Sequence, residues 1–267
     1  MSSSNPENEP LTQAVSRRSF LISTGAAVFG IGWWHLHEIS PVDAKPASPR
    51  PVPRLYLATP ELDDPQGLIA SLPGLLATAD VAAVLVRLKP VDQRSMISRA
   101  KALASAVQDS GAALLLDGRV ELVARAGADG AHLTGIATLQ EALPSLKPDR
   151  IAGVGGLATR HDSMTAGEMG ADYVLFGEPD ALGQRPSMEA IAERLQWWAE
   201  LFEPPCVGFA ASREEAYEFA AAGADFILAG DLIWNDPRGP AAALAGIEQA
   251  IRQAYHAAAG KAGAEQG

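Results

Sequence analysis

The fold class that the sequence predicts is α/β: a closed barrel of eight parallel strands with helices outside, preceded by an N-terminal segment that stays out of the fold. Three observations predict it. Short apolar runs and helical stretches alternate without a break from residue 54 to residue 258, as parallel strands covered by helices require. One junction is written three times, as "AGADGAHL" (126–133), "MGADYVLF" (169–176) and "AGADFILA" (222–229). Its glycines lie about 43 and about 53 residues apart, which is two strand–helix units each time. After the first apolar run stands "LATPELDDP", where an open doubly wound sheet would place a glycine-rich G-x-G-x-x-G turn. The reading is therefore a (β/α)8 TIM barrel of about 205 residues, with the doubly wound sheet as the alternative.

The elements follow in chain order. Arg17 and Arg18 stand directly before an uncharged run from Phe20 to Trp34, and "VDA" ends at Ala44. That is the layout of a twin-arginine export signal over residues 1–44, with a run too short for a span of about 20 residues. "KPASPRPVP" (45–53) is an extended Pro-rich linker. The barrel strands are expected at Leu55 to Thr59, Val81 to Leu88, Ala112 to Asp117, Gly130 to Leu133, Ile151 to Gly155, Tyr173 to Gly177, Cys206 to Ala210 and Phe226 to Ala229. Helical patterns such as "SMISRAKALASAVQDSG", "VELVARAG", "SREEAYEFAAAG" and "PAAALAGIEQAIRQAYHAA" lie between and after them. Gly127, Gly170 and Gly223 are expected to end helices in the left-handed conformation, each followed by an aspartate that leads into a strand. Residues 259–267 are expected to be a disordered tail.

Composition narrows the function classes. A net charge of −11 with no basic patch interleaved with aromatics argues against nucleic acid as a partner. The one cysteine, Cys206, excludes an internal disulfide and is expected to be a small buried residue. Trp197, Trp198 and Phe202 in "LQWWAELFEPP" have the spacing of a core-packed helix face; an exposed patch for a second copy of the chain or a membrane surface is the other reading.

The order of motifs along the barrel resembles the thiamine phosphate synthase family, which includes thiazole tautomerase relatives. The matching pieces are "LYLATP" (55–60), "VLVRLKP" (84–90), "LLLDGRVELVARAGADGAHL" (114–133), "GADYVLFG" (170–177) and "AAGADFILAG" (221–230), together spanning nearly the whole barrel. The resemblance implies a reaction in which a pyrimidine pyrophosphate loses diphosphate and a thiazole phosphate nitrogen captures the cation-like carbon. It also implies Mg2+, if the family activity is retained, and basic side chains for the departing charge.

Carried over residue by residue, Arg87 and Lys89 match the family's basic pair on the second strand, a clamp on pyrophosphate. Asp117 and Gly118 precede Arg119 where the family has Asn-Asp, so Asp117 is the one weak metal candidate; a second family carboxylate is Ala137 here. His132 matches a family residue, although a histidine leading an apolar strand is more often a packed, hydrogen-bonded one. The family glutamine near the basic pair is Leu85, and its serine after the fifth strand is Gly155. The phosphate loop after the sixth strand becomes "EPDALGQRPS", with Gln184 and Arg185 as its phosphate-capable residues. The Gly-Gly cradle becomes Ala210 and Ala211, whose methyl groups are expected to obstruct a phosphate, and a serine becomes Asp231.

These departures lead to an expectation of a barrel that binds a small phosphorylated, thiamine-related ligand at the C-terminal ends of its strands through Arg87, Lys89, Asp117, Arg119, His132, Arg185 and Asp231, with the parent reaction reduced or lost. The alternatives are an active thiamine phosphate synthase and a metal-independent, thiazole tautomerase-like isomerase using His161 near the fifth strand. Asp117, Asp180 and Asp231 could also form a new carboxylate cluster. The expected location is the periplasm by the twin-arginine route, with the export machinery as a partner; cytoplasmic or membrane-associated placement is the alternative. Fractionation of a tagged chain tests it: exported protein is expected to be shorter, and Arg17→Lys with Arg18→Lys is expected to retain it in the cytoplasm.

Overall fold

A computed structural model of the chain describes residues 50–264. The proposed signal (1–44) and most of the linker (45–53) lie outside the described residues. Eight parallel strands close into a barrel in sequence order, β1 pairing with both β2 and β8. They are β1 (Arg54–Leu62), β2 (Val81–Leu88), β3 (Ala113–Asp117), β4 (Gly130–Thr134), β5 (Ile151–Gly155), β6 (Tyr173–Phe176), β7 (Cys206–Ala210) and β8 (Phe226–Ala229). The helices between and after them are α1 (Gln66–Leu76), α2 (Gln93–Gln108), α3 (Val120–Ala126), α4 (Ile136–Leu146), α5 (Arg160–Glu168), α6 (Met188–Leu201), α7 (Arg213–Ala221), the single turn α8 (Asp231–Trp234) and α9 (Pro240–Ala264). The closed barrel displaces the open-sheet alternative, and α9 continues past position 258, where the sequence reading ended the barrel.

The thrice-written junction is a clasp between neighbouring strands. Gly127, Gly170 and Gly223 have φ of 71°, 93° and 96°, a turn that a side chain would strain. The aspartate two residues on then bonds twice to one residue at the start of the preceding strand. Asp129 Oδ2 accepts from the Leu114 N–H at 2.7 Å, Asp172 Oδ2 from Ala152 at 2.7 Å and Asp225 Oδ2 from Cys206 at 2.8 Å. Each aspartate's own N–H donates back to that residue's carbonyl, at 2.8, 2.8 and 2.9 Å. The motif thus ties β3 to β4, β5 to β6 and β7 to β8.

Side chains alternate between two cores, as strand geometry requires. Leu57, Leu114, Leu116, Leu133, Val174 and Ile227 point outward against the helices. Tyr56, Leu85, Leu115, Tyr173, Val207 and Leu228 fill the barrel interior. Trp198 is fully buried, stacks on Phe202 at 4.3 Å and donates its indole N–H to the Pro204 carbonyl, with Trp197 half-buried beside it, so the aromatic cluster of α6 is core packing. Cys206 is buried and free. Among the described residues no helix is long and apolar enough to cross a membrane.

The clasp predicts unequal costs for its two residues. Asp172→Ala strands the buried Ala152 N–H and removes the partner of Lys147 Nζ (2.6 Å), and is expected to cost about 2–4 kcal/mol in urea denaturation. Gly170→Ala meets no atom within 4 Å and is expected to cost only about 1–2 kcal/mol, the strain of its backbone.

Candidate active site at the C-terminal ends of the strands

The interior face of each strand brings one residue to the barrel mouth. On β2 this is Arg87, whose position is set by Thr59 in the "LYLATP" motif. The Arg87 N–H donates to Thr59 Oγ1 at 3.1 Å, and its Nε donates to the Thr59 carbonyl at 2.6 Å. Nη2 lies 3.5 Å from Asp231 Oδ1 at the first turn of α8, an exposed and weak contact. Lys89 Nζ pairs with Asp63 Oδ2 at 2.5 Å. The two cations expected to act as one clamp therefore each face a different carboxylate. Arg119, the N-cap residue of α3, is half-buried, and its side chain makes no hydrogen bond or ion pair among the described residues.

Across the mouth the barrel interior is polar. His132 on β4 is 1% exposed. Its Nδ1 lies 2.9 Å from the Tyr173 hydroxyl, which lies 2.9 Å from that of Tyr56. Its Nε2 lies 2.9 Å from Glu178 Oε1, and Glu178 Oε2 accepts from the Gly156 N–H at 3.1 Å. Burial by itself would lower the His132 pKa, but the charge and hydrogen bond of Glu178, helped by Asp117, outweigh it and hold it above the ordinary histidine value. Both ring nitrogens are engaged inside the barrel, so His132 is a packed, hydrogen-bonded residue.

Glycines make this arrangement possible. A Cβ at Gly153 would lie 1.9 Å from Tyr173 Cζ, and one at Gly155 would lie 1.7 Å from Glu178 Oε2. The Gly155 that replaces the family serine is thus the space that Glu178 occupies. Glu178 itself turns inward after Gly177, whose φ is 91°. Sequence reading missed Glu178, Tyr56 and Tyr173. The available signal was the inward run Ile151, Gly153, Gly155, since two empty positions in a barrel must be filled from neighbouring strands.

Asp117 ends β3, half-buried, and its carboxylate has no hydrogen-bond partner among the described residues. Burial, and secondarily Glu178, raises its pKa against the opposing charges of His132, Arg87 and Arg119. The carboxylate cluster that Asp117, Asp180 and Asp231 could have formed does not form among the described residues. Asp180 spends its carboxylate on the Leu182 and Gln184 N–H groups of its own loop, and Asp231 turns to Arg87. No group of three metal-ligating side chains exists among the described residues. A half-buried carboxylate without a partner nevertheless fits magnesium, which takes one or two carboxylates and leaves its other positions to substrate oxygens and water.

Two further groups are engaged within the fold. Arg185 is bound internally: Nη1 pairs with Glu215 Oε2 at 2.8 Å and Nη2 donates to the Phe209 carbonyl at 2.8 Å. Ala210 packs its methyl in the strand–helix core, away from the mouth. Only Ala211 lies at the mouth, and its N–H donates to Glu215 Oε2 at 2.7 Å. A cavity of about 760 Å3 opens beside this region, lined by Thr134, Gly156, Glu178, Asp180, Arg185 and Arg194 among others.

Fold and site together define a TIM-barrel protein whose charged side chains converge at the C-terminal ends of the strands, where barrel enzymes place their chemistry. The family model described as thiamine monophosphate synthase matches residues 55–233, and the chain belongs to that family. A thiamine-phosphate synthase of Rhodospirillum centenum is 40% identical over 202 residues, covering 74% of this chain and 98% of that protein. One of Hyphomonas neptunium is 35% identical over 206 residues, covering 74% and 93%. A solved thiamine phosphate pyrophosphorylase from Pyrococcus furiosus superposes with a TM-score of 0.61 at 19% identity, covering 75% of this chain and 96% of that one, and supports the fold.

The His132–Glu178 pair predicts a pH signature. Because the folded His132 pKa is raised, its contribution to stability is full below its unfolded value of about 6.5 and fades as pH rises through the folded value. Denaturation of the native and Glu178→Gln proteins between about pH 5 and 8 is expected to show the largest difference at the acidic end.

Proposed function

We propose that the chain is an active thiamine phosphate synthase, joining a pyrimidine pyrophosphate to a thiazole phosphate. The supporting observation is the match to proteins of that name over 98% and 93% of their lengths at 40% and 35% identity. This favours the alternative of a working synthase over the expectation of a lost reaction. In the reaction the carbon–oxygen bond to diphosphate breaks, its electron pair leaving with the oxygen, and the thiazole nitrogen lone pair forms the new carbon–nitrogen bond. Arg87, aligned by Thr59, and the unpaired Arg119 would meet the charge on the departing diphosphate. Magnesium, when bound, supplies further neutralisation of that charge; Asp117 would hold it.

A second reading, ligand binding with the reaction reduced, is favoured by one feature. The Glu215 carboxylate already accepts from the Ala211 N–H and from Arg185, so an anion there would have to displace it. The tautomerase-type reading rests on His161, which is exposed at the start of α5. Export by the twin-arginine route remains part of the proposal, supported by Arg17, Arg18 and the run after them.

The test supplies pyrimidine pyrophosphate, thiazole phosphate and magnesium to the purified protein. Thiamine phosphate is expected to form, to vanish on chelation, and to fall about a hundredfold or more in Arg87→Ala. Binding of both substrates with no product would establish the second reading instead.

A further inference from the structure

Glu178 is placed with more care than a surface carboxylate needs. It follows the left-handed Gly177, folds inward over the end of β5, and is held there by the Gly156 N–H and His132. The glycine at 155 is obligatory for it, because a methyl group there would overlap Oε2. Its two contacts use two of the roughly four acceptor positions of a carboxylate. Its side chain is 21% exposed and lines the cavity of about 760 Å3 between the loops after β5 and β6, a volume within the range of small-ligand sites.

The surrounding charges give the mouth a direction. The inner groups are the acidic Glu178 and Asp117 around the nearly inaccessible His132. The cations Arg87 and Lys89 are more exposed, at 32% and 44% of their side chains. Arg87, Lys89 and Asp117 lie outside the lining of the cavity, whose own cations are Arg185 and Arg194; a ligand group that meets the Glu178 carboxylate there carries N–H donors or positive charge.

We propose that Glu178 is a specificity-determining residue: its carboxylate, held over Gly155 by His132 and the Gly156 N–H, recognises an amino-bearing nitrogen heterocycle entering the cavity between the β5 and β6 loops. His132 acts as a positioning residue, fixing the carboxylate from below, with Tyr173 and Tyr56 fixing His132 in turn. The inference rests on the synthase reading in one respect, that a pyrimidine is among the substrates; the recognition itself needs no turnover. The carboxylate accepts a hydrogen bond from the ring's amino group and takes no part in bond breaking.

The experiment measures calorimetric binding to the full chain of an unphosphorylated aminopyrimidine and, separately, of inorganic diphosphate. Two variants are compared with the native protein: Glu178→Gln, which keeps the shape, and Gly155→Ala, which keeps the charge but displaces it. Aminopyrimidine affinity is expected to fall about tenfold or more in both variants, with diphosphate affinity changed by less than about twofold. Circular dichroism confirms that each variant is folded; Gly155→Ala carries the test if Glu178→Gln is not. No binding of the aminopyrimidine by the native protein, or equal binding by a folded variant, would overturn the proposal. Glu178-dependent binding without thiamine phosphate formation would leave it standing and overturn the synthase reading.

Discussion

A carboxylate that accepts a backbone N–H of the neighbouring strand, while its own N–H returns the bond, is the contact on which the register of this barrel depends. Asp129, Asp172 and Asp225 repeat it at β4, β6 and β8. A parallel strand cannot be fixed by a tight hairpin, so its register must come from the connection that delivers it. The preceding left-handed glycine ends the helix and the aspartate then catches the strand before. At β2 the corresponding Asp80 behaves differently: it takes the Arg54 guanidinium at 2.7 Å, while its carbonyl accepts from the Leu55 N–H. Closure between β1 and β8 is completed at the same level by the Arg54 N–H on the Asp225 carbonyl.

Fixed register decides what meets inside. His132 pairs with Asp117 on one side and Gly153 on the other, and Gly153 pairs with Tyr173. The Tyr173 ring lies over the empty Gly153 position and stacks on His132 at 5.8 Å. Tyr56 meets it edge-on from β1. A shift of one residue in any of these strands would turn the polar groups into the outer core and the leucines inward. The hydrogen-bonded row from Tyr56 to Glu178 is thus a product of strand pairing, and it carries the polarity of the interior out to the mouth. Burial without those partners would be costly for every group in it.

The mouth balances opposed charges at short range. Arg87 and Asp231, Lys89 and Asp63, and Arg185 and Glu215 are each matched, while the side chains of Asp117 and Arg119 keep no hydrogen-bond partner among the described residues. The matched pairs at the rim are exposed enough to exchange partners at small cost. Arg185 and Glu215 are not: at 17% and 16% exposure, with the Ala211 N–H and Phe209 carbonyl as further partners, they form a brace between the loops after β6 and β7. Residues of one chemical type at one barrel mouth therefore divide into those available to a substrate and those that hold the loops.

By itself the sequence determined the strands and their alternation with helices, because apolar runs and helix-ending glycines are local signals that need no distant partner; closure, against an open sheet, was decided by the pairing of β1 with β8. It also located Arg87, Asp117 and Arg119, since a residue at a strand end in a barrel is at the mouth by construction. Only the tertiary structure decided what those positions do. Glu178 became visible because Gly155, about 23 residues earlier in the chain, leaves the space it fills. Arg185 lost its expected freedom because Glu215 and Phe209 come from the next strand–helix unit. His132 proved saturated because Tyr173 on β6 and Glu178 just beyond that strand engage its two ring nitrogens. In each case the deciding atom lies far away in sequence, and hydrogen bonds and steric exclusion act over a few ångströms of space, whatever the distance along the chain.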